Sequence, residues 1–156
     1  MLEIERKYVV ISEDFKKEAT AKSFISQGFL SSHPDRVVRV RIRGEQGFLT
    51  VKGRSSEDGT TRFEWESEIP KNEAEALLKL CEPGVVEKNR YVIPVGNHTF
   101  EVDEFLGENE GLVIAEVELS EANEAFEKPS WLGDEVTGDV RYYNSELSKK
   151  PYKQWN

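Results

Sequence analysis

Residues 37–43 read Val37-Val38-Arg39-Val40-Arg41-Ile42-Arg43, in which arginines alternate with apolar residues. Successive side chains of a β-strand point to opposite faces, so this stretch presents cations on one face and apolar groups on the other. Residues 47–53 continue the pattern, because Thr50 and Lys52 fall on the polar face. The two segments therefore predict strands with one cationic face.

The same period of two recurs along most of the chain. Predicted strands cover residues 2–11, 37–43, 47–53, 62–69, 86–94, 98–105 and 112–119. Nearly every predicted strand places at least two ionisable groups on one face. These groups are Glu3, Glu5 and Lys7; Arg39, Arg41 and Arg43; Glu64, Glu66 and Glu68; Lys88 and Arg90; Glu101 and Asp103; and Glu116 and Glu118.

Short helices are predicted between the strands. Residues 12–27 place apolar side chains such as Phe15 and Phe24 at roughly helical spacing. Asn72 can cap a second helix that carries Leu77, Leu78, Leu80 and Cys81, and residues 120–126 predict a third, acidic helix. The chain from Trp131 onward is expected to be irregular or short-helical.

The direction of the charged strand faces has two interpretations. A half-buried sheet whose charges lie in solvent produces the same alternation, and this leaves a charged-surface structural protein as one alternative. However, the helices need an apolar surface to pack on, which favours apolar faces outside and charged faces inside a barrel or strongly curved sheet. The segregation of like charges also favours this, because a solvated face usually mixes signs and neutral polar residues.

Charges inside a barrel would need a ligand, since burying an unpaired charge costs several kcal/mol. Phosphate is the natural candidate, because arginine forks and lysine ammonium groups at positions i and i+2, about 7 Å apart, can hold successive phosphates of a linear chain. The facing carboxylates would repel that chain unless a hard divalent cation, Mg²⁺ or Mn²⁺, lies between them. Such a metal ion also lowers the pKa of an attacking water.

Composition and missing motifs exclude other classes. A length of 156 residues is typical of one domain, so residues 1–156 are expected to form a single unit. The net charge of −9 argues against nucleic acid and anionic membranes as partners. The single cysteine, Cys81, and a charged beginning without a signal peptide favour a cytoplasmic location. No P-loop, dinucleotide-binding or zinc-protease motif occurs, and the chain has only two histidines, His33 and His98.

The residues resemble a known family, the CYTH superfamily or triphosphate tunnel metalloenzymes. Glu3-Ile4-Glu5-Arg6-Lys7 is similar to the Glu-x-Glu-x-Lys signature of that family. The resemblance continues, in family order, through Val38-Arg39-Val40-Arg41, Thr50-Val51-Lys52, Arg62-Phe63-Glu64-Trp65-Glu66, Val86-Glu87-Lys88-Asn89-Arg90-Tyr91, Phe100-Glu101-Val102-Asp103, Ala115-Glu116-Val117-Glu118 and residues 131–137, ending at Arg141-Tyr142 and Asn144. The chain looks closest to short, single-domain bacterial inorganic tripolyphosphatases.

The resemblance implies an α+β, mainly β fold: an eight-stranded antiparallel β-barrel that forms a tunnel, with a few short helices packed outside. The residues that would bind phosphates are Lys7, Arg39, Arg41, Lys52, Lys88 and Arg90. Those that would bind or orient metal ions and water are Glu3, Glu5, Glu64, Glu66, Asp103, Glu116 and Glu118. The catalytic residues would be Glu5 and Lys88, the cofactor Mg²⁺ or Mn²⁺, and the reaction the hydrolysis of inorganic triphosphate to pyrophosphate and phosphate.

One departure from the family keeps alternatives open. Related tripolyphosphatases often carry a tyrosine, assigned as a proton acceptor, where this chain has Phe29 in Gln27-Gly28-Phe29-Leu30. A metal-assisted reaction that uses Glu5 or Lys88 can replace that role. The alternatives are an enzyme acting on an organic triphosphate, by hydrolysis of thiamine triphosphate or hydrolysis or cyclisation of ATP, and a non-catalytic polyphosphate- or nucleotide-binding protein. The family and the apolar strand faces also favour a homodimer.

Overall fold

The computed structural model describes residues 1–155. Its strands are β1 (Leu2–Val10), β2 (Ala21–Ser31), β3 (Val37–Arg43), β4 (Gln46–Lys52), β5 (Thr61–Ile69), β6 (Val86–Val95), β7 (His98–Phe105), β8 (Val113–Glu118) and β9 (Leu132–Glu135). Its α-helices are α1 (Phe15–Glu18), α2 (Lys71–Leu78) and α3 (Asn144–Leu147), and 3₁₀ turns cover Gly107–Asn109, Val140–Tyr142 and Tyr152–Gln154. No helix in this part of the chain is both long and apolar enough to cross a membrane.

The sheet closes on itself. The strands follow the order β5-β4-β3-β2-β6-β7-β8-β1, and β1 pairs back with β5 where Leu2, Glu3 and Ile4 lie opposite Phe63, Arg62 and Thr61. All pairings are antiparallel. Further along β1, Tyr8 and Val10 pair with the short strand β9 instead. The predicted fold class, an eight-stranded antiparallel barrel, is confirmed.

The helix predicted over residues 12–27 is wrong. Only α1 is helical, and β2 supplies the barrel's eighth strand between β3 and β6. The apolar side chains of this segment fit helical spacing only loosely, and hydrogen bonds to strands on both sides override that weak local preference. As a result Gln27 and Phe29 lie on the same face of the sheet as the lumen residues Arg41 and Arg39 opposite them.

The helix predicted from Asn72 is confirmed as α2, although it begins at Lys71 with Pro70 at its cap position, and Cys81 lies beyond its end. α2 packs outside the barrel against glycines of two strands. A Cβ atom on Gly47 of β4 would lie 2.7 Å from the Cβ of Ala74. Glycine therefore sets how closely the helix approaches the wall.

The third predicted helix, over residues 120–126, is also wrong. There Glu124 accepts a hydrogen bond from the Ser120 backbone N–H at 2.7 Å and lies 2.5 Å from His98 Nε2. These side-chain contacts compete with the helical pattern. Phe126 packs edge-on against Tyr8 and Phe100, with ring centroids 6.0 Å apart in both cases, and so covers the outer wall of the barrel.

One end of the barrel is filled by apolar side chains. Val86, Phe105 and Ile114 share strand faces with the lumen residues and pack with Leu112 and with Leu147 of α3. The predicted short-helical tail is confirmed in part: it contains α3 and 3₁₀ turns, but also β9. The chain after β9 therefore closes the barrel at this end.

Candidate active site

A charged cavity of about 240 Å³ lies inside the barrel. All the predicted site residues line it except Asp103: Glu3, Glu5, Lys7, Arg39, Arg41, Lys52, Glu64, Glu66, Lys88, Arg90, Glu116 and Glu118. Period-two alternation brings them together, because the strands that carry them, β1, β3, β4, β5, β6 and β8, each turn a charged face inward. The side chains of Glu66 and Glu101 are 38% and 45% exposed, so the cavity reaches solvent beside them, whereas Lys88 is buried at 1%.

Asp103 lies behind the cavity wall as the centre of a buried ion-pair group. Its two carboxylate oxygens accept hydrogen bonds from Arg90 Nε and Nη2, each at 2.8 Å, and Lys88 Nζ lies 2.9 Å away. Burial alone would raise the pKa of Asp103, but the charges of Arg90 and Lys88 outweigh it and hold the pKa well below its usual range. Asp103 is therefore ionised and fully engaged by cations.

Lys88 is poised between two protonation states. Burial lowers the pKa of its ammonium to about 7, and the neighbouring charges of Arg90 and Arg41 add to this effect while Asp103 opposes it. Its Nζ also donates a hydrogen bond to Asn144 Oδ1 at 2.9 Å. A lysine with a pKa near neutrality can hold or release a proton at physiological pH.

Two of the three arginines of β3, Arg39 and Arg41, have guanidinium N–H groups without a hydrogen-bond partner. Arg39 Nη2 donates to Thr50 Oγ1 at 3.1 Å and to Glu66 Oε2 at 3.3 Å, while its buried Nε has no partner. Arg41 donates from Nε to Gln27 Oε1 at 3.1 Å, and no carboxylate within residues 1–155 lies within ion-pair distance of it. Burial and the charges of Arg39 and Arg90 lower the pKa of Arg41. An anion in the cavity would accept hydrogen bonds from the unpartnered N–H groups of both arginines.

The carboxylates of the cavity form two groups. Glu3 and Glu64 share Lys52, whose Nζ lies 3.1 Å and 3.3 Å from their oxygens. In the other group, burial, the charges of Glu116 and Glu3, and a hydrogen bond with Glu116 raise the pKa of Glu5 well above its usual value. A carboxyl whose pKa is raised by burial and by neighbouring carboxylates is a site where a cation can replace the proton.

The pKa of Glu116 is lowered to about 2. Burial opposes this shift, but Lys7 and the hydrogen bond with Glu5 outweigh it. Glu118 lies directly opposite Glu5 in the β1–β8 register. Within the described chain, no three acidic, histidine or cysteine side chains are close enough to hold a metal ion by themselves. Paired carboxylates such as Glu5 and Glu116 can serve a hard divalent cation that completes its shell with water and substrate oxygens.

Several lining residues were not predicted from the sequence. Tyr143, Asn144 and Ser145 enter the cavity from the chain after β9, and Lys7 Nζ lies 4.8 Å from the centre of the Tyr143 ring. Gln27 was assigned to a helix, and Asn144 was noted only as the end of a matching stretch, so no spacing pattern marked either as a site residue. Phe29 lines the cavity opposite Arg39.

Comparison with known proteins shows to which family the chain belongs. The model of the CYTH domain matches residues 1–151. The chain belongs to the CYTH family. This confirms the resemblance inferred from the strand motifs. Two curated relatives match over nearly their full length, both named inorganic triphosphatase. The protein from Acetivibrio thermocellus is 51% identical over 154 residues, covering 98% of this chain and 97% of the relative.

The second relative, from Nitrosomonas europaea, is 40% identical over 154 residues, covering 95% of this chain and 97% of its own length. A crystal structure of an inorganic triphosphatase superposes with a TM-score of 0.66 at 32% identity, covering 93% of this CYTH chain and 96% of that one. The similarity therefore extends over the whole barrel, including all strands that carry cavity residues.

Proposed function

We propose that this CYTH protein hydrolyses inorganic triphosphate to pyrophosphate and phosphate inside the barrel, with the help of a divalent metal ion. The observation that carries the proposal is the cavity itself, a lumen of about 240 Å³ in which arginines and lysines face carboxylates. The two curated relatives, 51% and 40% identical, are inorganic triphosphatases and support the choice of substrate.

The cations would hold the phosphate chain. Arg41 has free guanidinium donors and no carboxylate partner, and the buried Nε of Arg39 has no acceptor. A buried donor without an acceptor is costly, and a phosphate oxygen supplies one with a full charge. Lys7, Lys52, Lys88 and Arg90 complete the proposed set of phosphate-binding residues.

The carboxylates fit a divalent metal ion that binds together with the substrate. Glu5 and Glu116 would be the main ligands, because burial and the charge of Glu116 raise the pKa of Glu5, and a cation between the two carboxylates would offset both effects. Glu3, Glu64, Glu66 and Glu118 would hold a second ion or bound water. Mg²⁺ and Mn²⁺ suit these oxygen donors, and such an ion, when bound, polarises phosphorus and acidifies water.

Two residues of the chain would take part in the reaction directly. The Glu5 carboxylate would accept a proton from the attacking water, and Lys88 would stabilise charge on the phosphate oxygens. We assign Asp103 a different role from the predicted one. Since its oxygens are occupied by Arg90 and Lys88, it would act as their counter-ion rather than as a metal ligand.

We propose that residues 1–156 form one domain, that the protein acts in the cytoplasm as a homodimer, and that nucleic acids and membranes are not partners. The single cysteine and the net charge of −9 support the location and the absence of such partners. Sedimentation of the purified protein tests the dimer.

The experiment that tests the function compares phosphate release from inorganic triphosphate, ATP and thiamine triphosphate, each with Mg²⁺, Mn²⁺ or chelator. We expect release from inorganic triphosphate, dependent on metal. Glu5→Gln and Lys52→Met should each abolish turnover, since the first removes a metal ligand and base and the second a phosphate contact. Lys149→Met, which breaks only an exposed pair with Glu146, is the matched control and should be fully active.

Each other outcome identifies an alternative. Faster phosphate release from ATP or thiamine triphosphate would show that this organic triphosphate, and not inorganic triphosphate, is the preferred substrate. Binding of triphosphate without release under any metal condition would indicate a non-catalytic binding protein. Normal turnover in both site variants would disprove the assignment of the lumen as the active site.

A further inference from the structure

The segment that closes the barrel also inserts a side chain among the lumen cations. α3 begins at Asn144, whose Oδ1 accepts one hydrogen bond from Lys88 Nζ at 2.9 Å and another from Gln27 Nε2 at 2.7 Å. Gln27 is fully buried and in turn accepts a hydrogen bond at Oε1 from Arg41 Nε at 3.1 Å. A continuous chain of hydrogen bonds therefore links Lys88 to Arg41 through two amides.

The two cations fix the orientation of both amides. A guanidinium can only donate, so Gln27 turns its oxygen to Arg41, and the protonated form of Lys88 likewise only donates, so Asn144 turns its oxygen to Lys88. The amide NH₂ of Gln27 is then free to donate to the second lone pair of Asn144 Oδ1. Each link of the chain has one possible direction, and this makes the arrangement rigid.

This series of hydrogen bonds leaves N–H groups of Lys88 and Arg41 available for a ligand. Lys88 has three N–H groups, of which Asp103 and Asn144 occupy two. Arg41 uses only Nε, so both of its terminal NH₂ groups are free of the amide chain. Arg41 has no carboxylate partner in the described chain, and Gln27 is the group that holds its guanidinium. Gln27 thus positions Arg41, and Asn144 shares the positioning of Lys88 with Asp103.

We propose that Asn144 is a positioning residue for triphosphate hydrolysis, which through this chain aligns Lys88 directly and Arg41 by way of Gln27. The inference rests on the proposed function of the lumen and adds to it a residue from the closing segment. A small misplacement of groups that align a reacting phosphate is costly to the rate, about 100-fold for roughly 1 Å. The cations remain in the lumen without Asn144, so their overall attraction for the polyanion is kept.

The test measures kcat, KM and metal-free binding for Asn144→Ala, Gln27→Ala and the double variant. We expect Asn144→Ala to lower kcat about 100-fold. The dissociation constant for triphosphate in chelator, measured by calorimetry, should change less than about threefold, because the lumen charges are unaltered. The kcat of the double variant should be only slightly lower than that of Asn144→Ala, since Asn144→Ala already interrupts the series of hydrogen bonds between Lys88 and Arg41.

Two controls separate positioning from loss of structure. Asn89→Ala removes an amide from the outer wall, where it donates only to Glu104 at 3.4 Å, and should leave kcat unchanged. Leu147→Ala loosens the docking of α3 without touching the amides, and should lower the melting temperature more than Asn144→Ala does while keeping most of kcat.

The outcomes distinguish this inference from the function on which it depends. If the wild type releases no phosphate from triphosphate, the proposed function fails. If the wild type is active and Asn144→Ala keeps its kcat, the positioning role is overturned while the function stands. An equal loss of kcat in Leu147→Ala, or effects of Asn144→Ala and Gln27→Ala that simply multiply in the double variant, would also overturn it.

Discussion

Replacing Asp103 with asparagine tests the electrostatic balance of the barrel interior. The carboxylate is 2% exposed, accepts two hydrogen bonds from Arg90 at 2.8 Å and lies 2.9 Å from Lys88. Asparagine has nearly the same shape, so the change deletes the negative charge without opening a cavity. It leaves two buried cations with a neutral partner, one of whose polar groups is itself a donor.

The expected loss is large. Breaking a buried ion pair from one side costs about 3–5 kcal/mol, because the remaining charge is uncompensated. In a chain of this size each kcal/mol corresponds to a shift in melting temperature of about 2–4 °C, so Asp103→Asn should melt about 6–20 °C below the wild type. Thermal unfolding followed by circular dichroism at neutral pH, in chelator, measures this difference.

A control and a rescue sharpen the result. Asp139 also holds an arginine through two hydrogen bonds, of 3.1 Å and 2.7 Å to Arg141, but that pair is exposed to solvent. Asp139→Asn should therefore cost less than about 1 kcal/mol. Inorganic triphosphate should raise the melting temperature of Asp103→Asn more than that of the wild type, since the polyanion replaces the missing charge.

The stability that Asp103 contributes should change with pH in one direction. The pKa of Asp103 is lowered in the folded state, so its contribution is present above its ordinary value of 3.8 and is lost as the pH falls through the folded value. The gap between wild type and Asp103→Asn should therefore persist at neutral pH and close only in strong acid. A melting temperature of Asp103→Asn within about 2 °C of the wild type at neutral pH would refute the counter-ion role.

Two further changes probe other parts of the barrel. Burial lowers the pKa of Lys88 to about 7 from its ordinary 10.5, so only between these two pH values does the folded protein release a proton that the unfolded chain keeps. The stability of the wild type relative to Lys88→Met should thus rise between about pH 7 and pH 10, and a constant difference in urea unfolding would contradict the shift. Gly47→Ala places a Cβ 2.7 Å from that of Ala74 and should cost about 1–3 kcal/mol in urea unfolding by pushing α2 off the wall. Gly53→Ala, whose Cβ would meet only Phe63 at 3.4 Å, is the control, and an equal loss there would mean that the contact with α2 is not the cause.

Sequence alternation predicted the barrel and most of its lumen for a physical reason. A strand has a period of two, so a charged residue at every second position identifies one face whichever strand pairs beside it. Arg39 and Arg41 on β3, and Glu116 and Glu118 on β8, reach the cavity by this rule alone. The rule failed for β2, because Gln27 and Phe29 alternate with small and apolar residues and carry no charge that distinguishes the inner face.

The sequence pattern could not predict which lumen residues form ion pairs or hydrogen bonds with one another. Alternation placed Glu101 and Asp103 on the same face of β7, yet one reaches the cavity and the other is enclosed by Arg90 and Lys88. The difference depends on how far each residue lies from the apolar end of the barrel. Asn144 comes from a segment with no periodicity, and only the path of the chain after β9 brings it to Lys88.

The lumen divides its cations by the way they are neutralised. Arg90 and Lys88 share the counter-charge of Asp103, and Arg90 also lies 3.4 Å from Glu101 and 3.7 Å from Glu116. Lys52 has Glu3 and Glu64. Arg41 has only the neutral amide of Gln27. A cation held by an amide is positioned without being compensated, so its charge is still available to a ligand, whereas one held by a carboxylate exchanges one anion for another when phosphate binds. The free energy of binding triphosphate should therefore come mainly from Arg41 and from the unpartnered Nε of Arg39. Cations that are already paired with carboxylates, namely Lys52, Lys88 and Arg90, should contribute mainly to the alignment of the substrate.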